Sequence, residues 1–209
     1  MKEKGLPDVN AVRNYFESTI QGIAKNHGSD SMFWEEVFDK NYSLLDTSIV
    51  DIWLSFDEVA AATAQGKRVV NSYNLYLDQQ IPNDQSTFYF WSDTWRDFYA
   101  ADPTNATVLT PEQEALILGG SISMWGEQVN AFNCHSRIFP RSAGGAERLW
   151  SSKDVNDPSA AEGRIDHLSC KLNQRGIGSG PIRPSSQYGY CPTPRSSPFN
   201  HMHEIKYNG

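Results

Sequence analysis

Four short apolar runs, each separated from the next by a helical pattern or a turn, constrain this chain more than any other feature. They are Met32–Phe38 (MFWEEVF), Ser48–Leu54 (SIVDIWL), Arg68–Leu77 (RVVNSYNLYL) and Leu116–Met124 (LILGGSISM). Runs of this length between turn residues read as strands, and strands that alternate with helices read as parallel βα units. The helical signals lie between them. Val12, Phe16, Ile20 and Ile23 share one face from Asp8 to Lys25, and Gly28 follows as a stop. Ser55-x-x-Glu58 predicts a capping box for a helix over Asp57–Gln65 that Gly66 ends, and Thr110-Pro111-x-Gln113 predicts a cap for a short helix before the fourth run. Gln79–Asp102 reads as a long aromatic loop. Asp157-Pro158 opens a last helix through Ile165, Leu168 and Leu172, with Gly176 as its stop. The class is α/β, and four βα units amount to half of a (β/α)8 TIM barrel. A half-barrel has two open edges, and the chain shows no repeat that would supply the rest.

Composition narrows the function classes. The 209 residues are 39% hydrophobic and 12% aromatic with a net charge of −7, which fits a globular chain. No basic block is present, which argues against nucleic acid, and no apolar run approaches the ~20 residues of a membrane span. The N-terminal stretch MKEKGLPDVNAVRNYF has no apolar core of the signal-peptide kind, yet Asn41-Tyr-Ser and Asn105-Ala-Thr are glycosylation sequons. A chain that is part of a longer protein reconciles the two. None of the three cysteines, Cys134, Cys170 and Cys191, has zinc-site spacing. Cys170 and Cys191 enclose a loop rich in Gly, Pro and Ser; a bridge between them would stabilise by about 3 kcal/mol, and two reduced thiols are the alternative. Cys134 is expected to be a buried free thiol. From Pro192 to Gly209 nothing is periodic, so residues 192–209 read as a disordered tail after a 1–191 domain; His201, His203 and Glu204 in it do not make a metal site. No metal or cofactor is expected.

The chemistry gathers at the ends of the four runs. Each carries an aromatic there: Trp34, Trp53, Tyr76 and Trp125. Two of these have a carboxylate two positions on, Asp78 and Glu127. Active sites of parallel βα barrels form at the C-terminal strand ends, so these six side chains are expected to converge on one pocket. An indole beside a carboxylate suits a sugar: the ring takes the C–H face and the acid accepts from hydroxyls. The alternative is a core tryptophan beside a solvated glutamate. Two other acidic pairs are set aside. Asp57-Glu58 is accounted for by the helix cap, and Glu35-Glu36, read as strand neighbours, would point to opposite faces.

Longer motifs add a family. Gly119-Gly-x-x-x-x-Trp125-Gly-Glu127, then Ser136-Arg-x-x-Pro140-Arg141 and Glu147-Arg-Leu-Trp150-Ser, resemble the last barrel strand and helix of the family 20 glycoside hydrolases, the β-N-acetylhexosaminidases. Trp34-Glu-Glu-Val-Phe38, Asn71-Ser-Tyr-Asn-Leu-Tyr-Leu-Asp78, Trp95-Arg-Asp-Phe-Tyr-x-x-Asp102-Pro103, Arg175-Gly-Ile177 and Gly189-Tyr-Cys191 are similar to further family segments, so the resemblance runs from about Met1 to Cys191. It implies hydrolysis of terminal N-acetylglucosamine or N-acetylgalactosamine from glycans by substrate-assisted, retaining catalysis. By the same resemblance Tyr76 would hydrogen-bond the acetamido carbonyl, Trp34, Trp53 and Trp125 would wall the pocket, and Asp78 and Glu127 would accept from the 4- and 6-hydroxyls. A lysosomal or secreted setting and possible homodimerisation of the parent follow from it too. Ser121, Leu75 and Phe139 depart from common family residues, and the family's His-x-Gly-Gly-Asp-Glu stretch, with its catalytic pair, is not among these 209 residues. The chain alone is therefore expected to be inactive or nearly so, with a non-catalytic sugar-binding or interaction module as the alternative reading.

Overall fold

Side-chain caps set most of the helix starts. In the computed structural model, which describes residues 4–78, 94–105, 108–127 and 129–183, Asp8 accepts from the amide of Ala11 and opens α1 (Val9–Asn26). Ser55 opens α3 (Phe56–Ala64) by accepting from the amide of Asp57, one residue earlier than a capping box would have it. At α5 (Pro111–Glu114) the predicted box is complete: Thr110 and Gln113 each accept from the other's backbone amide. Asp157 caps α8 (Pro158–Gln174) through the amide of Ser159. Gly28, Gly66 and Gly176 follow their helices with φ of 74°, 74° and 80°, the left-handed conformation that glycine adopts without Cβ strain.

The described residues fall into two compact units. The first draws on Met1–Leu75 and Asp102–Ile122, the second on Tyr76–Ala101 and Ser123–Gly209. The first holds one parallel sheet of β1 (Met32–Trp34), β2 (Ile49–Ile52), β3 (Arg68–Asn71) and β4 (Ile117–Gly120), in the order β1-β2-β3-β4. Its register pairs Trp34 with Asp51 and Ile52 with Asn71. Val50, Ile52 and Val69 bury against Val59 and Ala62 of α3, with Phe38, Leu44 and Ile117 around them. Burying a Val or Ile side chain contributes about 1.5–3 kcal/mol, so this face carries the sheet. The β3–β4 ladder slips between Val69 and Val70, where Gly119 takes φ of 142°.

The second unit is helical. It contains α4 (Trp95–Ala100), α6 (Cys134–Ile138), α7 (Arg141–Leu149) and α8. Trp95, Tyr99, Ala143, Ala161, Ile165 and Ile182 form its core, and the Trp95 indole donates to the Ile182 carbonyl at 2.9 Å. A Cβ on Gly144 would sit 2.5 Å from the Trp95 carbonyl oxygen. That close approach is what Gly144 provides on α7.

Several expectations change. The run Met32–Phe38 is a strand only to Trp34; Glu35 then turns into the right-handed helical region and α2 (Glu36–Asp39) begins. Glu35 and Glu36 are thus not strand neighbours. The third run stops pairing in β3 at Asn71, and Asn74, at φ of 64°, turns the chain. The stretch expected to be a loop over Gln79–Asp102 carries α4, whose Thr94 and Asp97 form a capping box. Cys134 is a free thiol, but only partly buried. Cys191 and the expected tail at 192–209 lie outside the described residues.

Candidate functional site

In the first unit, two indoles stand at neighbouring strand ends. Trp34 is the last residue of β1 and is 42% exposed; Trp53 directly follows β2 and is half-buried. Chain direction alone does not hold Trp53 there. The side chain of Glu35, only 1% exposed, reaches across so that its Oε2 accepts from the amides of Trp53 at 2.6 Å and Leu54 at 2.9 Å. Glu36 Oε2 accepts from the Trp53 indole Nε1 at 3.4 Å. Burial pushes the Glu35 carboxyl above the usual carboxylate range, against the two amides, and Asp39 and Glu36 add to the rise. Below this level, Asp51 accepts from the Ser72 hydroxyl at 2.5 Å across the β2–β3 pair, and burial raises its pKa as well.

In the second unit, Tyr76 is buried and forms a parallel bridge with Ser123. The Leu77 amide donates to the Ser123 carbonyl at 2.8 Å, and the Leu77 carbonyl accepts from the buried guanidinium of Arg141 at 2.6 Å. These contacts align the two segments so that Asp78 Oδ1 accepts from the Trp125 amide at 3.4 Å. Trp125 is 46% exposed, and Glu127 follows on an exposed turn. An exposed indole and a carboxylate therefore share one backbone link. An ionised carboxylate such as that of Asp78 keeps further lone pairs that can accept from a hydroxyl.

The structure thus brings Trp34 and Trp53 to adjacent strand ends and brings Asp78 and Trp125 into contact. Tyr76 and Trp125 lie five residues past the last paired residue of β3 and β4, Asn71 and Gly120, rather than at the strand ends themselves. Sequence reasoning missed Glu35, because the period of a strand was applied to a chain that had already turned. It also gave no role to Arg141, whose signal was its place directly after Pro140. Asp57 and Glu58 lie in the first turn of α3, as expected for capping residues. Among the described residues no cluster of His, Cys, Asp or Glu could hold a metal ion, and no helix is long and apolar enough to cross a membrane.

Comparison with known proteins places these features in a family. The model of the glycosyl hydrolase family 20 catalytic domain matches residues 1–153. The chain is 38% identical over 192 residues to β-hexosaminidase subunit A1 of Dictyostelium discoideum, covering 92% of this chain and 34% of that protein. It is 32% identical over 195 residues to the human β-hexosaminidase subunit beta, covering 91% of this chain and 33% of the relative. The chain thus spans about a third of the length of the curated relatives it matches. Among solved structures, the chitobiase of Flavobacterium johnsoniae is 28% identical with a TM-score of 0.65, covering 84% of this chain and 26% of that one. The exo β-N-acetylglucosaminidase of Vibrio harveyi, solved with N-acetylglucosamine, shares the fold with a TM-score of 0.70 at 21% identity, covering 88% of this chain and 30% of its own. These neighbours are TIM-barrel enzymes, and the parallel four-stranded α/β sheet with alternating helices matches them. By motif, fold and sequence, this chain belongs to glycosyl hydrolase family 20.

Proposed function

We propose that this chain supplies sugar-binding residues of a β-N-acetylhexosaminidase catalytic domain. The substrate class is a glycan ending in N-acetylglucosamine or N-acetylgalactosamine. The observation that carries the reading is the hydrogen bond between Asp78 and the Trp125 amide, which sets an acceptor beside an exposed indole. Trp125 would stack on the sugar ring. Asp78 and Glu127 would accept from its hydroxyls, and Tyr76 would donate its O–H to the acetamido carbonyl. In the first unit, Trp34 and Trp53 are proposed as sugar-binding indoles in their own right.

The chemistry that suits this set is substrate-assisted and retaining. The acetamido oxygen attacks C1 and the glycosidic bond breaks. A general acid protonates the departing oxygen, and water then opens the oxazolinium with retention. A hydrogen bond from Tyr76 would hold the acetamido oxygen on the line of attack. The acid and the residue that orients the acetamido nitrogen belong to a His-x-Gly-Gly-Asp-Glu stretch that these 209 residues do not contain. General acid catalysis is worth roughly 10²–10⁴-fold, so the chain by itself should not turn over. We also propose that the parent works in a lysosome or outside the cell and that it pairs as a homodimer. Oxidation of Cys170 with Cys191 and glycosylation at the exposed Asn41 and Asn105 would suit that setting.

The test is hydrolysis of an aryl N-acetyl-β-glucosaminide by the purified 209-residue chain, with Tyr76→Phe beside it. No release of the aryl alcohol is expected from either. Turnover that Tyr76→Phe abolishes would overturn the proposed division of labour and turn the search for an acid to Glu36, Asp78 and Glu127.

A further inference from the structure

We propose that Glu35 and Glu36 act together as positioning residues for the Trp53 indole, one holding its backbone and the other its ring. The inference rests on the sugar-binding reading above for what the indole is positioned to meet. The two carboxylates approach the same residue from opposite ends. Glu35 Oε2 accepts from the Trp53 and Leu54 amides at 2.6 and 2.9 Å, so the chain leaving β2 is tied to the residue that joins β1 to α2. Glu36 Oε2 takes the indole N–H at 3.4 Å. With the amide and the ring nitrogen both held, the two side-chain torsions of Trp53 have little freedom left.

The cost of this arrangement points to a purpose beyond packing. Glu35 is 1% exposed, and its second oxygen, Oε1, is buried without a hydrogen-bond partner. An acid with an unsatisfied buried oxygen is expensive, and an apolar side chain of similar size would usually be as stable or more so. What the acid gives that an apolar residue does not is two fixed amides at one strand end. Desolvation raises the pKa of Glu35, as expected for so closed a position. Glu36 adds an electronic effect. A carboxylate at the indole N–H draws the proton toward itself and leaves the ring face more electron-rich, which favours contact with the polarised C–H bonds of a sugar.

The experiment labels the indole nitrogens of the six tryptophans with 15N and follows their N–H resonances in the wild type, Glu36→Gln and Glu35→Gln. Trp53→Phe assigns the Trp53 signal. Glu36→Gln should move that signal while leaving most of the other indoles in place, and Glu35→Gln should move or broaden it. Titration with N-acetylglucosamine should then show roughly three- to tenfold weaker binding in both variants, the scale of losing the net worth of one ordinary hydrogen bond. If Glu35→Gln does not fold, Glu36→Gln alone decides. A Trp53 signal unchanged in Glu36→Gln, or sugar affinity unchanged despite a moved signal, overturns the proposal. If the wild type shows no response to N-acetylglucosamine, the sugar-binding reading is what fails, and the Trp53 signal still reports whether the grip exists.

Discussion

The two units of the chain hold their aromatic candidates by different means. In the sheet unit, Trp34 and Trp53 stand at strand ends over an all-aliphatic core of Val50, Ile52, Val59, Ala62 and Val69. Acids then fix what the strands leave loose, with the buried Glu35 and the half-buried Glu36 on Trp53. In the helical unit the core sets Trp95 and Tyr99 among Ala143, Ala161, Ile165 and Ile182, and charge pairs lie around it. Glu147 takes the Arg164 guanidinium at 2.6 Å and the Tyr99 hydroxyl at 3.0 Å, while Glu162 takes both Arg96 and Arg183. There Asp78 and Trp125 are aligned by backbone bonds and by Arg141. A sheet supplies direction but ends abruptly, so its last residues need side-chain anchors. A helical unit positions its loops through the packing beneath them.

That contrast predicts opposite weaknesses. The sheet unit should break by subtraction: Ile52→Ala removes a fully buried side chain from the shared core and should cost about 2–5 kcal/mol, read as a fall in the urea midpoint. The helical unit should break by addition. Gly144→Ala drives a methyl to 2.5 Å from the Trp95 carbonyl, so α7 must shift at a cost of about 1–3 kcal/mol. Hydrogen exchange separates the two outcomes, because Ile52→Ala should deprotect β2 and β3 first and Gly144→Ala should deprotect α4 and α7 first.

A smaller effect concerns pH. Burial raises the carboxyls of Glu35 and Asp51 above their unfolded values. The folded chain therefore holds more protons than the unfolded one in the window from about pH 4 up to those raised values. Their contribution is most favourable at the acid end and is lost as pH rises through the folded pKa. The unfolding midpoint of the wild type should thus hold up better near pH 5 than carboxylates paired with cations would allow. Asp51→Asn should weaken that trend, and thermal scans at several pH values check it. The smallest change should come from Arg164→Ala, an exposed partner of Glu147, as a barely measurable fall in the urea midpoint that vanishes at high salt.

Much of the first unit was legible in the sequence because its signals are local. Asp8 and Thr110 cap the helices expected of them, as Asp157 does in the second unit, and the apolar runs place all four strands of the parallel sheet. The misses came where one local signal masked another. Thr94-x-x-Asp97 is a capping signature for α4, hidden inside a stretch whose many aromatics read as a long loop. Trp34-Glu35-Glu36 follows a strand so closely that the turn into α2 carried no punctuation by Gly or Pro. Glu35 itself was invisible for a further reason. Its partners, the amides of Trp53 and Leu54, are backbone groups 18 and 19 residues away, and backbone groups leave no mark in a sequence. Candidate residues were easier to name than to assemble: the link from Asp78 to Trp125 spans 47 positions and depends on the pairing of Tyr76 with Ser123.

The most direct measurement is binding of free N-acetylglucosamine to the 209-residue chain, followed by saturation transfer from protein to sugar, with Trp125→Ala and Asp78→Asn as controls. The account predicts transfer to the ring C–H protons in the wild type, most of it lost in Trp125→Ala and weakened in Asp78→Asn. Transfer that survives Trp125→Ala at full strength, or none in a wild-type chain that is demonstrably folded, would contradict the claim that these residues bind the sugar.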